Sequence, residues 1–281
     1  MTVSVFVPGH ITGFFTIEKH EIKLKNGSRG VGFLLTKGVR TTVSKSDELI
    51  IEVNQGDSTV IDAVLSILEI DANFKITQDI QLPIGAGFGT SAASALSLTL
   101  ALNEFLDLGY SDELCGQIAH MAEVNIGGGL GDVIAQTGNG LVLRTKPGAP
   151  GIGEIKSFSE DVFIAWKTFG PIDTSEIISD SKYPQIISSS GSKYLELFEN
   201  EPTVENFLSF SNRFSHEIGL MSDEVKNQID YFESSSDILG TSMAMLGNTV
   251  FAFAYNEDAF KNLNIENLHI DKLNNIGITY D

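Results

Sequence analysis

The sequence has little positive charge, a single cysteine and no long apolar run. Its 281 residues carry 18 Lys and Arg against 37 Asp and Glu, for a formal net charge of −19. This excess of acid argues against nucleic acid or an anionic membrane as a partner. Cys115 is the one cysteine, which excludes an internal disulfide and favours a reducing, cytoplasmic location. Because no run of about 18 apolar residues occurs, we expect no membrane-spanning helix.

Lysine is absent from the whole stretch between Lys75 and Lys146. A Walker A loop ends in Gly-Lys-[Ser/Thr], so the glycine-rich segment inside this stretch cannot be one. A dinucleotide-binding fingerprint needs an acidic residue about 20 positions beyond its glycines. Glu104 and Asp107 come too early and at the far end of the same predicted helix. Both common nucleotide-binding loops are therefore excluded.

The glycine-rich segment at 83–95 reads PIGAGFGTSAASA. Its glycines allow positive φ and a close approach of other groups to the backbone, and it leads directly into a predicted apolar helix. The free N–H groups and the positive dipole end at the start of such a helix suit an anion, most often phosphate. A tight turn with a Ser or Thr N-cap would give the same local pattern, so both interpretations stay open here.

The spacing of apolar residues predicts an α+β chain in two parts, with the Pro and Gly cluster at 147–153 separating residues 1–150 from 151–281. Helices are predicted over 57–69, for about 16 residues after the glycine loop, and over 112–124, 173–180, 192–199, 203–220, 222–234 and 257–263. Strands are predicted over 3–8, 20–25, 39–44, 48–54, 74–82, 139–145, 161–168, 236–245, 248–255 and 276–280.

Two carboxylates flank a second glycine run, in the segment AEVNIGGGLGDVIAQTGNG at 122–140. Glu123 shares a helix face with His120, and the glycines at 127–131 let the chain fold back and bring Asp132 close. Phosphoryl transfer to an alcohol needs a metal ion on the phosphates and a carboxylate that takes the hydroxyl proton. Two such acids can supply both functions. Taken alone, the segment is better explained by a helix C-cap followed by an Asp N-cap.

Together these motifs resemble those of the superfamily of galactokinase, homoserine kinase, mevalonate kinase and phosphomevalonate kinase, the GHMP kinases. Its second motif is matched by Pro83, Gly87, Phe88, Gly89, Thr90, Ser91 and Ala92. The resemblance implies a two-domain α+β fold, with a ribosomal S5 domain 2-like N-terminal domain and a ferredoxin-like C-terminal domain.

The same resemblance implies the cofactors and the catalytic residues. The residues expected to bind ATP are Pro83, Gly85, Ala86, Gly87, Phe88, Gly89, Thr90, Ser91 and Ala92. Glu123 and Ser91 are expected to bind Mg²⁺, and with Asp132 they form the expected catalytic set. The presence of Asp132 argues against a homoserine kinase, since homoserine kinases lack this aspartate.

One subgroup, the archaeal pantoate kinases, resembles the chain from residue 7 to residue 252. The motifs concerned are PGHITGFF at 8–15, NGSRGVG at 26–32, PIGAGFGTSAA at 83–93, AEVNIGGGLGDVIAQTGNG at 122–140 and SMAMLGNTVFA at 242–252. The resemblance implies ATP-dependent phosphorylation of the primary hydroxyl of pantoate to 4-phosphopantoate, a step toward coenzyme A. Met and Leu replace glycines expected in the last motif, so the turn at 240–247 is expected to support the site, and a direct phosphate contact stays open.

The chemistry of pantoate indicates which side chains would bind it. Its carboxylate needs cationic donors, and its gem-dimethyl carbon needs an apolar wall. Phe14, Phe15 and Ile126 could supply that wall, and an ordinary core role would explain them equally well. In this lysine-poor region the candidate cations are Arg29, His120 and Arg144, with His10 on the phosphate side. Ser28 and Arg29 lie in the NGSRG turn, where N–H and guanidinium donors could bind a carboxylate. Without the resemblance, Arg144 would be read as a solvated strand-end charge and His120 as a structural core histidine.

Three alternatives remain. The acceptor could be another alcohol, such as shikimate or mevalonate. The fold could carry out the pyrophosphate chemistry of relatives that make ribosyl-aminobenzene phosphate. The chain could also be a non-catalytic ATP-binding sensor, although the presence of both Glu123 and Asp132 counts against this. A homodimer is a hypothesis by analogy alone.

Overall fold

The structure, a computed structural model, describes residues 2–171 and 182–281. The strands are β1 Thr2–Phe15, β2 Gly30–Lys45, β3 Ile50–Val53, β4 Phe74–Ile80, β5 Leu141–Lys146, β6 Glu154–Phe158, β7 Phe163–Thr168, β8 Gly240–Met243, β9 Thr249–Ala254, β10 His269–Lys272 and β11 Thr279–Tyr280. The helices are α1 Thr59–Leu68, α2 Thr90–Leu106, α3 Asp112–Ile126, α4 Asp132–Gln136, α5 Lys182–Asn200, α6 Val204–Ile218, α7 Asp223–Glu233 and α8 Asp258–Lys261. The helix predicted at 173–180 lies outside the described residues.

The described strands form two sheets. The larger runs in the order β11-β1-β2-β4-β3, and β5 pairs with β2 and β6 with β5. The smaller runs β10-β7-β9-β8. Within these sheets the pairs are antiparallel except for β3 with β4. Strands β6 and β11 follow residue 150 in the chain and yet join the larger sheet, and the division into 1–150 and 151–281 stays a prediction.

The first strand does not end at Pro8, contrary to the sequence-based prediction. Strand β1 continues to Phe15, paired with β2, and the register shifts between Pro8 and His10. Proline lacks the N–H that a sheet ladder needs, and such a bulge is one of the few places where a strand accepts it. The shift matters for the site because it determines where His10 lies.

One other predicted strand is not found in the structure, and two observed strands were not predicted. The segment 20–25 is not a strand but contains a short 3₁₀ helix at Lys23–Lys25, and Ile22 is 52% exposed. The alternating apolar residues of this segment therefore do not form the buried face of a strand. Strands β6 and β10 were not predicted, because most of their side chains are exposed or half-buried and carry little alternation of hydrophobicity.

The segment after the glycine loop is a helix, as predicted, although its leucines alternate as in a strand. Residues 92–102 of α2 are buried without interruption. A helix covered on all sides has no polar stripe, so its sequence need not carry the 3.6-residue period. The prediction of helix rested correctly on length and on the Ala and Leu content.

Two large apolar cores hold the layers together. One lies between the smaller sheet, helices α5–α7 and one part of β1 and β2, and it is rich in aromatic rings. The other lies between the larger sheet and helices α1–α3. The glycine loop at 83–89 leads from β4 into α2, where the two cores meet. None of the helices in the described residues is long and apolar enough to cross a membrane.

Candidate active site

The loop at 83–89 presents backbone N–H groups at the start of α2. Gly85, Gly87 and Gly89 have φ of 72°, 87° and 60°, so the predicted need for positive φ is confirmed. Gly89 caps α2 without a side-chain hydrogen bond, and the Ala93 N–H donates to the Gly89 carbonyl at 3.0 Å. Earlier N–H groups of the helix have no intrahelical acceptor. The loop therefore offers donors and a positive dipole end to an anion.

The turn between β8 and β9 packs directly on this loop. The Thr249 hydroxyl donates to the Ala86 carbonyl at 2.8 Å. A Cβ on Gly247 would lie 2.1 Å from the Ala86 oxygen, and one on Gly87 would lie 3.1 Å from the Gly247 Cα. The two glycine contacts are between backbones, and Thr249 adds a side-chain hydrogen bond, so the turn supports the loop although Met and Leu replace glycines of the motif.

Glu123 lies at the buried C-terminal end of α3. The Ser91 hydroxyl donates to its Oε2 at 2.9 Å. Its Oε1 is buried and has no hydrogen-bond partner among the described residues. Burial, and to a smaller degree the charge of Asp132, raises the pKa of Glu123 to about 7 against the hydrogen bonds from Ser91 and Gly129. The Oε1 atom of Glu123 is thus available to bind a cation.

Asp132 begins α4 and lies beside the last glycine of the loop. A Cβ on Gly89 would approach its Cγ to 3.1 Å. Its Oδ1 is 2.7 Å from His10 Nδ1, and its side chain is 25% exposed. Burial alone would raise the pKa of Asp132, but the hydrogen bond and charge of His10 and the charge of Arg144 hold it below its ordinary value. Asp132 is therefore an ionised carboxylate with access to the exterior.

His10 and Arg144 form a buried pair behind Asp132. His10 is fully buried, and Arg144 is 1% exposed. Arg144 Nη1 lies 3.3 Å from His10 Nε2, and both of its terminal nitrogens lie 3.4 Å from the Thr12 hydroxyl. Burial lowers the pKa of Arg144 to about 10 against the charge of Asp132, so the guanidinium stays charged at neutral pH. Burial also lowers the pKa of His10, against the effect of Asp132.

Ser28 is next to Arg144, on the side of the glycine run. A Cβ on Gly131 would lie 2.2 Å from the Ser28 hydroxyl and 3.0 Å from Arg144 Nε. That Nε is buried and without a partner in the described part of the chain. The Ser28 hydroxyl, the Arg144 guanidinium and the backbone of Gly131 therefore lie next to one another.

Arg29 and His120 are held by contacts outside this group. Arg29 Nε pairs with Glu18 Oε1 at 2.7 Å, and its side chain is 35% exposed. His120 is buried, and its Nε2 donates to the Lys23 carbonyl at 3.3 Å. Burial lowers the pKa of His120, against the effect of that hydrogen bond. The substrate-binding roles expected for these two residues stay predictions.

Of the candidates for an apolar wall, Phe14 and Phe15 are buried in a hydrophobic core, whereas Ile126 is exposed. Phe14 is fully buried and packs against the rings of Tyr194, Phe198 and Phe207. This is a core position and leaves the ring no open face.

Gln136 is a site residue that the sequence analysis missed. It is fully buried, and its Nε2 donates to the Gly89 carbonyl at 2.9 Å. It follows Asp132 by four residues, so the two side chains share one face of α4, and that spacing was the available signal. Gln136 therefore connects the helix of Asp132 to the end of the loop.

Comparison with known proteins shows to which class of protein the chain belongs. The family described as GHMP kinases N terminal domain matches residues 58–140, which include the loop and both acids. The chain is similar to a solved structure described as a phosphotransferase related to the CoA biosynthesis pathway, with 30% sequence identity and a TM-score of 0.87. The match covers 100% of this chain and 99% of the other. The protein is a small-molecule kinase with the GHMP kinase fold, which confirms the predicted fold class.

Relatives that match nearly the whole length of the chain identify its family within this class. The pantoate kinase of Methanocaldococcus jannaschii is 36% identical over 259 residues, which cover 90% of this chain and 93% of the relative. The pantoate kinase of Thermococcus kodakarensis is 33% identical over 284 residues, which cover 93% of this chain and 90% of the relative. The chain belongs to the pantoate kinase family.

Proposed function

We propose that the protein transfers the γ-phosphoryl group of ATP to the primary hydroxyl of pantoate, giving 4-phosphopantoate for coenzyme A synthesis. Membership of the pantoate kinase family supports the choice of substrate. The observation that carries the chemistry is the position of Asp132, an ionised and partly exposed carboxylate beside the end of the anion-binding loop. We also propose a cytoplasmic location, supported by the single cysteine.

The loop at 83–89 and the first turn of α2 bind the ATP phosphates in this proposal. Their backbone N–H groups donate to phosphate oxygens, and the positive end of the helix dipole offsets part of the phosphate charge. Because the chain has no lysine in this region, backbone donors supply the binding that a Walker A lysine supplies elsewhere. The β8–β9 turn acts as a support that fixes the shape of the loop.

Asp132 accepts the hydroxyl proton of pantoate. The hydroxyl oxygen bonds to the γ-phosphorus, the bond from that phosphorus to the β,γ-bridging oxygen breaks, and ADP leaves with the electron pair. A carboxylate with a lowered pKa is a weak base, but phosphoryl transfer passes through a loose transition state, in which positioning counts for more than basicity. The Asp132 side chain is well positioned for this role because it is partly exposed and lies next to the phosphate loop.

Glu123 and Ser91 fit a Mg²⁺ ion. Mg²⁺ is commonly bound through one or two carboxylates together with substrate phosphates and water. The partnerless Oε1 of Glu123 and the Ser91 hydroxyl supply such a set, whereas the described residues contain no group of three or more His, Cys, Asp or Glu able to hold a metal without substrate. When bound there, Mg²⁺ would neutralise charge on the β- and γ-phosphates.

Arg144 and Ser28 are the donors we propose for the pantoate carboxylate. Arg144 is charged and buried, and its Nε has no partner in the described structure. Carboxylates pair well with the flat guanidinium group, through two parallel hydrogen bonds. Arg29 and His120 remain proposed contributors on the strength of the family resemblance, with Arg29 already paired to Glu18.

An ADP-release assay with pantoate, pantothenate, shikimate and mevalonate tests the proposal. Pantoate should be the efficient substrate. Pantothenate should be poor, because its carboxylate has become an amide bearing β-alanine. The Asp132→Asn variant, purified in the same way and expected to lose more than about tenfold in kcat, serves as the control for contaminating kinases. Efficient phosphorylation of pantothenate, shikimate or mevalonate with pantoate inert would refute the substrate, and ATP binding without any turnover would indicate a sensor.

A further inference from the structure

The side chain of His10 is hydrogen-bonded to two charged side chains, Asp132 and Arg144. Its ring is fully buried, with Nδ1 at 2.7 Å from Asp132 Oδ1 and Nε2 at 3.3 Å from Arg144 Nη1. The sequence motifs predict a substrate contact for this histidine. The arrangement indicates a different role, which follows from which atoms can donate.

The two contacts determine where the imidazole proton is. Arginine has only donors, so His10 Nε2 must be the acceptor in its contact with Arg144. The ring proton is therefore on Nδ1, and it donates to the Asp132 carboxylate. A doubly protonated ring would place an N–H against the guanidinium with no acceptor between them. The geometry thus selects the neutral ring with its proton on Nδ1.

The surroundings hold the ring in this place. A Cβ on Gly32 would lie 2.2 Å from His10 Nε2, so the absence of a side chain there makes room for the ring. The His10 backbone N–H donates to the Phe88 carbonyl in the phosphate loop at 2.9 Å. One residue therefore connects the loop, through its backbone, with the Asp132 carboxylate, through its side chain.

We infer that His10 is a positioning residue, whose neutral ring binds Oδ1 of Asp132 and leaves Oδ2 facing the acceptor hydroxyl. The inference rests on the proposed function only in that Asp132 receives the hydroxyl proton. The same ring keeps the Arg144 guanidinium from pairing directly with Asp132. Arg144 is thereby left for an anionic ligand, and Asp132 for a hydroxyl.

Two substitutions of His10 separate its two contacts. In His10→Asn the side-chain N–H₂ can take the place of Nδ1 and donate to Asp132, but nothing reaches Arg144. In His10→Gln the longer side chain can present its oxygen to Arg144, but nothing donates to Asp132. A charge-assisted hydrogen bond is worth about 1.5–3 kcal/mol, which corresponds to a change of about 10- to 150-fold.

We expect His10→Gln to lower kcat at least about tenfold with KM for pantoate close to wild type, and His10→Asn to keep most of the wild-type kcat. A rise in KM with kcat unchanged in both variants would mean that His10 binds substrate. Equal losses of kcat, or a larger loss in Asn than in Gln, would overturn the assignment of the hydrogen bonds. Thermal unfolding of each variant confirms that the folded enzyme is being compared.

The tautomer is measurable without any substrate. In ¹⁵N NMR spectra of the ligand-free wild-type protein, His10 should show a proton bonded to Nδ1 and a proton-free Nε2 near neutral pH. A proton on Nε2, or on both nitrogens, would overturn the inference even if neither variant folds. If the protein does not phosphorylate pantoate but this tautomer is observed, the proposed substrate fails and the arrangement of His10 stands.

Discussion

Replacing Glu123 with glutamine should stabilise the ligand-free protein while removing most of its activity. The carboxyl is fully buried, and burial is the main reason why its pKa is raised from the ordinary 4.5 to about 7. The folded state therefore holds the proton more tightly than the unfolded state. The stability that this proton contributes is fully present below about pH 4.5 and is lost as the pH rises through about 7.

The size of the effect follows from the two pKa values. Between about pH 5 and about pH 8, wild-type Glu123 should lower the free energy of unfolding by about 2.5 kcal/mol, at about 1.36 kcal/mol for each pKa unit. Glutamine does not titrate, and its amide oxygen can still accept from Ser91. The stability advantage of Glu123→Gln should therefore grow by about 2.5 kcal/mol across this range, or by about 5 °C or more in Tm.

Urea unfolding at both pH values, in the presence of EDTA, measures this difference. Glu113→Gln is the matched control, since Glu113 is exposed at the start of the same helix and its substitution should leave the difference from wild type constant. Unfolding curves of Glu123→Gln and wild type that stay equally far apart at both pH values would refute the reasoning. Adding Mg²⁺ and a non-hydrolysable ATP analogue at about pH 8 should raise the Tm of wild type more than that of the variant.

Three further substitutions test the other parts of the site. Asp132→Asn should fold normally and lose more than about tenfold in kcat, because an amide cannot accept the hydroxyl proton; wild-type kcat in the folded variant would contradict this. Arg144→Lys should raise KM for pantoate about tenfold or more and leave KM for ATP nearly unchanged, because lysine lacks the planar fork. Gly247→Ala should instead raise KM for ATP, since the added Cβ would lie 2.1 Å from the Ala86 oxygen and displace the phosphate loop; unchanged ATP kinetics would mean that the turn does not shape the loop.

Local patterns were enough to predict the helix that carries Glu123 and the conformation of the phosphate loop. Ser111 accepts a hydrogen bond from the Leu114 N–H as the N-cap of α3, a role that its position before a helical run indicates. The positive φ of Gly85, Gly87 and Gly89 follows from the turn they make. These features depend on neighbours within a few residues, and a single sequence contains that information.

Contacts between distant segments could not be read from the sequence. His10 and Asp132 are 122 positions apart, and His10 and Arg144 are 134 apart. Arg29 was expected to bind a carboxylate, and it pairs with the carboxylate of Glu18 on the protein itself. The charged side chains that come into contact are determined by the register of β1 with β2 and of β2 with β5. The bulge after Pro8 shifts the register of β1 with β2, and no local sequence pattern predicts that shift.

The different roles proposed for Glu123 and Asp132 are supported by the different surroundings of the two carboxylates. Asp132 has cationic or hydrogen-bonding partners inside the protein, His10 and Arg144, which lower its pKa and keep it ionised. For Glu123 burial outweighs the hydrogen bonds from Ser91 and a backbone N–H, so its pKa rises. Titratable groups whose pKa values are pushed apart in one site take different roles. In the proposed mechanism, Mg²⁺ supplies the positive charge that Glu123 lacks, whereas Asp132 is already ionised and able to accept a proton before any ligand binds.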